Sequence, residues 1–208
     1  HLVDALVSRG DDVIAIDNLS LGNVKNLDKS MKRISFFERD VCNYLDDIFE
    51  QKNFDAVFHL AALPRVQFSI ENPIETHRVN VNGMLNVLEA CRNHGVKRFV
   101  FSSSSAIYGD QDKLPVDEGM KPNTMSPYAE HKFIGERYCE LYNKSYGLEA
   151  VSLRYFNVFG SRQDPSGGYA CLIPKFTKLF LEGKSPVING SGEQTRDFVH
   201  VDDVVRAN

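Results

Sequence analysis

Short apolar runs and longer amphipathic stretches take turns along this chain, and that alternation restricts the fold more than any other property of the sequence. Apolar runs occupy residues 13–17, 34–40, 55–60, 98–101 and 150–155, each of a length suited to a buried strand. Residues 74–94 place apolar side chains at Val81, Met84, Leu85, Leu88 and Cys91, one face of a long helix that Gly95 closes. Residues 128–146 predict a second long helix, entered through Ser126-Pro127 and stopped at Gly147. Shorter helices are expected at 45–51 and 172–182, and residues 1–9 read as the C-terminal part of another. Strand and helix alternating at this spacing predict an α/β fold with a doubly wound parallel sheet.

With 208 residues and 42% apolar side chains, the chain has material for one domain and a small appendage. The texture changes after Gly160 to Gly, Pro and Ser. The expected division is therefore an incomplete Rossmann-type dinucleotide-binding domain at 1–160 and part of a substrate-binding region at 161–208. A net charge of -4 with mixed signs leaves no basic stripe, so neither nucleic acid nor a membrane surface is expected as a partner. Cys42, Cys91, Cys139 and Cys171 are scattered without a Cys-x-x-Cys, and the six histidines form no pair at ligand spacing. That pattern predicts free thiols in a reducing cytoplasm and no metal. No apolar run approaches the ~20 residues that span a bilayer, and Asp4 and Arg9 argue against a signal peptide.

Asp17 ends the first apolar run, where a carboxylate can take both ribose hydroxyls of an adenosine and repel a 2'-phosphate. No Lys or Arg follows until Lys25, which favours NAD over NADP. In a dinucleotide-binding unit such an acid lies ~20 residues after a glycine fingerprint, yet neither Gly-x-Gly-x-x-Gly nor Gly-x-x-Gly-x-x-Gly occurs here. The expectation is that strand one and its phosphate loop precede His1, so that these 208 residues alone neither fold cooperatively nor retain dinucleotide. A sharp circular-dichroism melt with stoichiometric NAD would overturn that expectation.

The chemistry is carried by Tyr128-Ala129-Glu130-His131-Lys132 and the serine run 102–105. A tyrosine and a lysine four apart share a helix face, so the ammonium can favour the tyrosinate and make a phenol usable as a base. Bringing that phenol from ~10 down by ~3 units requires about 4 kcal/mol of differential stabilisation. Lys132 and a nicotinamide's positive charge are the expected sources.

Asp17-Asn18-Leu19, Asp40-Val41, His59-Leu60-Ala61-Ala62, Asn80-Val81-Asn82-Gly83, the run 102–109, the Tyr128 to Lys132 segment and Arg154-Tyr155-Phe156-Asn157 stand in a familiar order. It is the order of the extended short-chain dehydrogenases/reductases, and the chain most closely resembles their UDP-glucose and UDP-N-acetylglucosamine 4-epimerases. The resemblance implies NAD as cofactor and a UDP-sugar as substrate. It assigns Asn18, beside Asp17, to the cofactor, Asp40 and Val41 to the flanks of the adenine, and Leu60, Ala61 and Ala62 to a loop against the cofactor. Asn80 would support that loop, Tyr155 and Phe156 would wall the nicotinamide, and Asn157 and Arg196 would hold the UDP phosphates. Ser104, Tyr128 and Lys132 would be catalytic, with Ser104 chosen among the serines by its offset to Tyr108-Gly109. His59 reads as a core histidine. The two long helices at 74–94 and 128–146 resemble those that form a dimeric four-helix contact in the family, so the resemblance implies a homodimer.

Related dehydratases and decarboxylases place acidic residues just after the catalytic hydroxyl, where this chain has Ser105 and Ala106. Epimerisation through a 4-keto sugar is therefore expected, ahead of dehydration, decarboxylation or reduction. A non-catalytic nucleotide-binding relative is the alternative of another class. Gln163-Asp164-Pro165 followed by Gly168-Tyr169-Ala170 is similar to N-acetylhexosamine epimerases, but the sugar stays open.

Overall fold

The computed structural model describes residues 1–165, 171–188 and 190–208; Gly168-Tyr169-Ala170 lies outside the described residues. The chain forms two compact units, Leu2–Tyr155 with Asn208, and Phe156–Ala207 with His1.

In the larger unit α1 (Leu2–Arg9) leads through Gly10, at φ +98°, into β1 (Val13–Asp17). Then follow β2 (Ile34–Glu38), α2 (Asp46–Phe49), β3 (Ala56–His59), α3 (Val66–Glu71) and α4 (Pro73–His77). A π-helical turn, Arg78–Gly83, joins α4 to α5 (Met84–Asn93). The unit ends with β4 (Arg98–Ser104), α6 (Pro127–Tyr146) and β5 (Glu149–Tyr155). All ladders are parallel, one joining β1 to β2 and the other running β3-β4-β5. Parallel strands with intervening helices are the α/β arrangement expected from the sequence, and among the described residues no ladder links β1 to β3.

Three details differ from the sequence expectation. The helix over 74–94 is interrupted by the π turn, where Gly83 lets the backbone approach β2's exit loop. A Cβ there would sit 2.8 Å from Val41 Cγ2. Strand β4 runs three residues beyond Phe101, because Ser102, Ser103 and Ser104 pair with Leu153, Arg154 and Tyr155. Helix α3, too short for a periodic signal, was not foreseen.

The core lies between α2, α5, α6 and the sheet. Met84, Leu88, Cys91 and Phe99 are fully buried there, joined by Val41, Ile48, Phe101, Cys139 and Tyr142. Burial of each large apolar side chain stabilises by ~1.5–3 kcal/mol. Helix α6 lies flush on β4 because its face carries Gly135, whose Cβ would meet Phe101 Cζ at 2.5 Å and Met84 Sδ at 2.7 Å. Its entry is capped by Ser126, whose hydroxyl accepts from the Ala129 amide at 3.2 Å, and its exit is Gly147 at φ +73°.

The smaller unit contains β6 (Asn157–Phe159), α7 (Leu172–Leu181), β7 (Phe198–His200) and α8 (Val201–Ala207). β6 and β7 pair in parallel, Asn157 opposite Phe198. Among the described residues no helix is long and apolar enough to cross a membrane.

Candidate active site

Strand β4 and helix α6 bring the three expected catalytic residues together in the larger unit. β4 carries Ser104 at its C-terminal end, the edge where doubly wound sheets bind ligands. Tyr128 and Lys132 stand one turn apart at the start of α6, and all three are at least nine-tenths buried. Ser104 interacts with the Tyr128 phenol closely enough to favour its ionised form, and the Ser104 oxygen accepts from the Ala106 amide at 3.1 Å. Lys132 Nζ donates to the Ser102 carbonyl at 2.7 Å and lies 5.9 Å from the centre of the Tyr128 ring. The neighbouring hydroxyls point elsewhere, Ser103 donating to Glu136 Oε1 at 2.6 Å and Ser102 to the Tyr155 hydroxyl at 3.3 Å.

The electrostatics correct one expectation. Burial pushes the Tyr128 phenol up from its ordinary value, and Ser104 only partly opposes it. Burial also pushes Lys132 down to about 8. The protein alone therefore does not lower the phenol, because the same low-dielectric setting that disfavours the tyrosinate weakens its intended partner. When bound, oxidised NAD supplies a hydride acceptor and a positive charge in this low-dielectric setting.

His59, on β3, is buried and stacks on Phe99 and Phe101 with ring centres 5.9 and 6.1 Å away. Burial, with Lys132 adding to it, lowers its pKa to about 3. The unfolded chain, with an ordinary histidine near 6.5, binds the proton first, so this contribution to stability is complete above that value and is lost as pH falls toward 3. At about pH 4.5 the loss amounts to ~3 kcal/mol. Urea melts between pH 7 and 4.5 should show a steeper fall in wild type than in His59→Phe; equal slopes would contradict it.

The expected cofactor residues are also described. Asp17 is exposed at the end of β1, and its Oδ1 accepts from the Leu19 amide at 2.6 Å as the chain bends through Leu19 at φ +56°. Asn18 Nδ2 donates to Asp40 Oδ2 at 3.3 Å. Burial opposes ionisation of Asp40, yet the Cys42 amide, the Cys42 thiol, Arg78 and Asn18 together hold its carboxyl below the usual value. Val41 packs its side chain into the core, so the side chain of the expected adenine flank is committed to packing. The Asn80 carboxamide accepts from Leu63 N at 2.7 Å and donates to Leu63 O at 3.0 Å. Those bonds fasten the loop that carries half-exposed Leu60 beside Ala61 and Ala62. An exposed acid at the end of β1, a fastened loop of small residues after β3 and a buried lysine on α6 are groups whose chemistry suits a dinucleotide with two free ribose hydroxyls.

Tyr155 accepts from Ser102 Oγ and, at 2.6 Å, from Asn208 Nδ2. The other expected residues belong to the smaller unit. Asn157 gives its backbone and side-chain N–H to the Asp197 carbonyl, at 3.1 and 2.9 Å, and Arg196 Nη1 donates to Thr195 O at 2.7 Å. Phe156 opens that unit. Among the described residues no cluster suits a metal.

Sequence reasoning missed two features. One is Glu136, half-encircled by Ser103 and Arg154; it stands four residues beyond Lys132, so the helical face 128, 132, 136 held the signal. The other is Ser69, which accepts the Tyr128 amide at 3.1 Å; a lone serine 59 positions away carries no such signal.

The family of NAD dependent epimerases/dehydratases matches residues 1–208. The chain belongs to that family. Among solved structures, it is similar to UDP-N-acetylglucosamine 4-epimerase of Methanobrevibacter ruminantium in complex with UDP-N-acetylmuramic acid, with 43% identity and a TM-score of 0.95 over 100% of this chain and 67% of the other. It is also similar to UDP-glucose 4-epimerase of Thermotoga maritima with UDP-glucose, at 42% identity and a TM-score of 0.96 over 100% and 67%. A third is the Thermus thermophilus UDP-glucose 4-epimerase complex with NAD, at 38% identity and a TM-score of 0.91 over 100% and 68%. The chain spans about two thirds of each. The family's cofactor is NAD, and its α/β architecture is the one found here.

Proposed function

We propose that this chain carries the catalytic centre of an NAD-dependent UDP-sugar 4-epimerase. The observation that carries the reading is the buried Ser104, Tyr128 and Lys132 group at the C-terminal edge of β4. Tyr128 takes the proton of the sugar's C4 hydroxyl as hydride leaves C4, and Ser104 hydrogen-bonds the C4 oxygen. Lys132, anchored on the Ser102 carbonyl, holds positive charge beside the phenol. The hydride that NAD, where bound, accepts from C4 is returned to the opposite face of the 4-keto sugar, and Tyr128 returns the proton to the C4 oxygen. Asp17 and Asn18, the Leu60 to Ala62 loop fastened by Asn80, and Tyr155 and Phe156 hold the dinucleotide. Asn157 and Arg196 meet the UDP phosphates, where a guanidinium fork suits paired oxygens.

Ser105 and Ala106, in the 3-10 turn directly after Ser104, bring no carboxylate to C5 or C6, which favours epimerisation over dehydration and decarboxylation. Neighbours in solved structures act on UDP-glucose and on UDP-N-acetylglucosamine, and either hexose fits this reading. A cytoplasmic homodimer completes it, with exposed Ile74, Leu141 and Tyr146 on the long helical segments covered by a second copy. The intact protein given UDP-glucose or UDP-N-acetylglucosamine should form the C4 epimer with no net change in NADH absorbance. Release of CO2 or a 4-keto-6-deoxy product would overturn the proposal.

A further inference from the structure

Helix α6 begins with Pro127, which has no N–H, so the amide of Tyr128 is the first donor of the helix. It lies where no intrahelical carbonyl reaches it. The donors that follow are satisfied locally, Ala129 by the Ser126 hydroxyl at 3.2 Å and Glu130 by the Ser126 carbonyl at 3.0 Å. The Tyr128 amide alone is satisfied from a distant element: it donates to Ser69 Oγ on α3 at 3.1 Å. Ser69 is wholly buried and spends its own proton on the Val66 carbonyl at 2.6 Å. Its hydroxyl is thereby fixed in direction, with a lone pair turned toward Tyr128.

We propose that Ser69 is a positioning residue for Tyr128. Resting on the epimerase reading above, this assigns to α3 the aim of the phenol. The bond fixes the first backbone N–H of the very residue whose side chain must meet both Ser104 and the reacting oxygen. Rotation of the first turn about the helix axis swings the Tyr128 Cα–Cβ direction, and the ring carries that swing outward to its hydroxyl. Capping at Ser126 restrains the turn one residue further on and leaves the Tyr128 amide unheld. A misplacement near 1 Å at a reacting group costs on the order of 10²-fold in rate. Ser69 contacts no reacting atom, so substrate affinity is not its target.

The test uses the intact NAD-loaded protein with UDP-glucose or UDP-N-acetylglucosamine, whichever it epimerises, and three variants. Ser69→Ala removes the acceptor, Ser69→Cys keeps its approximate volume with a weak acceptor, and Leu88→Ala destabilises the core without removing a polar partner. Both Ser69 variants are expected to lose about 10- to 100-fold in kcat, with KM within about twofold, and to lose far more rate than Leu88→Ala at an equal or smaller fall in Tm. If Ser69→Ala does not fold, Ser69→Cys is judged by the same criteria. Wild-type kcat in Ser69→Cys, a loss matched by Leu88→Ala, or a loss confined to KM overturns the inference. Tyr128→Phe in the same assay separates the two claims: if it stays active the functional reading fails, whereas an inactive Tyr128→Phe beside an unaffected Ser69→Ala defeats the positioning role alone.

Discussion

Replacing Tyr128 with phenylalanine is expected to slow epimerisation by about 10²- to 10⁴-fold, the usual worth of a positioned proton-transfer group, while NAD stays bound. The ring is nine-tenths buried, so phenylalanine keeps the packing and removes one oxygen. Because burial pushes the phenol up, turnover should rise with pH as the tyrosinate forms, and the variant should lose that rise along with the rate. The measurement, on the intact protein, is kcat for C4 epimer formation across pH, with bound dinucleotide quantified after gel filtration. Retained turnover would remove the phenol from the mechanism. Loss of NAD with loss of rate would assign Tyr128 to binding.

A Glu136→Leu substitution is expected to cost about 3–5 kcal/mol, the penalty for breaking a buried pair and leaving its partner charged. Glu136 accepts from Arg154 Nε at 2.8 Å and Nη2 at 2.7 Å, and from Ser103 Oγ at 2.6 Å. Both side chains are less than one fifth exposed, so water cannot replace the lost carboxylate cheaply. Arg154 also lies over the Tyr108 ring, 4.7 Å from its centre, which holds the guanidinium in place after its counter-charge is gone. The double substitution Glu136→Leu with Arg154→Met should recover most of the loss, since a buried pair exchanged whole for apolar groups is often near neutral. Urea unfolding gives the answer through the midpoint at constant m-value. A single-variant loss under ~1 kcal/mol would show that the pair is screened like a surface bridge. Ser103, adjacent to Ser104, ties this ion pair to the strand end that carries the chemistry.

The strands of the larger unit were legible because a run such as 13–17 has one physical use in an alternating chain, whereas β6 at Asn157–Phe159 was not. Ser104 could be singled out by its distance from Tyr108-Gly109, and the structure separates it from Ser102 and Ser103 by giving each hydroxyl a different partner. Glu136 was legible in principle through helical spacing. The direction of the Tyr128 shift was not, because Tyr-x-x-x-Lys specifies a neighbouring charge but says nothing of the burial that opposes it. Asn80 was placed as a support for the Leu60 loop by the family resemblance alone, and the π turn that presents it was not expected, since one extra residue in a turn leaves the apolar spacing of 74–94 almost unchanged.

By itself the sequence determined the α/β class, most of the strands and long helices, and the residue types available for hydride and proton transfer, since periodicity and short-range spacing are properties of the chain read in order. Only the tertiary structure decided that Val41 turns into the core, that burial governs Tyr128 and Lys132, and that Ser69 receives the first amide of α6. Dielectric environment and hydrogen bonding across 59 positions exist only once helices and strands have docked, because both depend on which surfaces exclude water together.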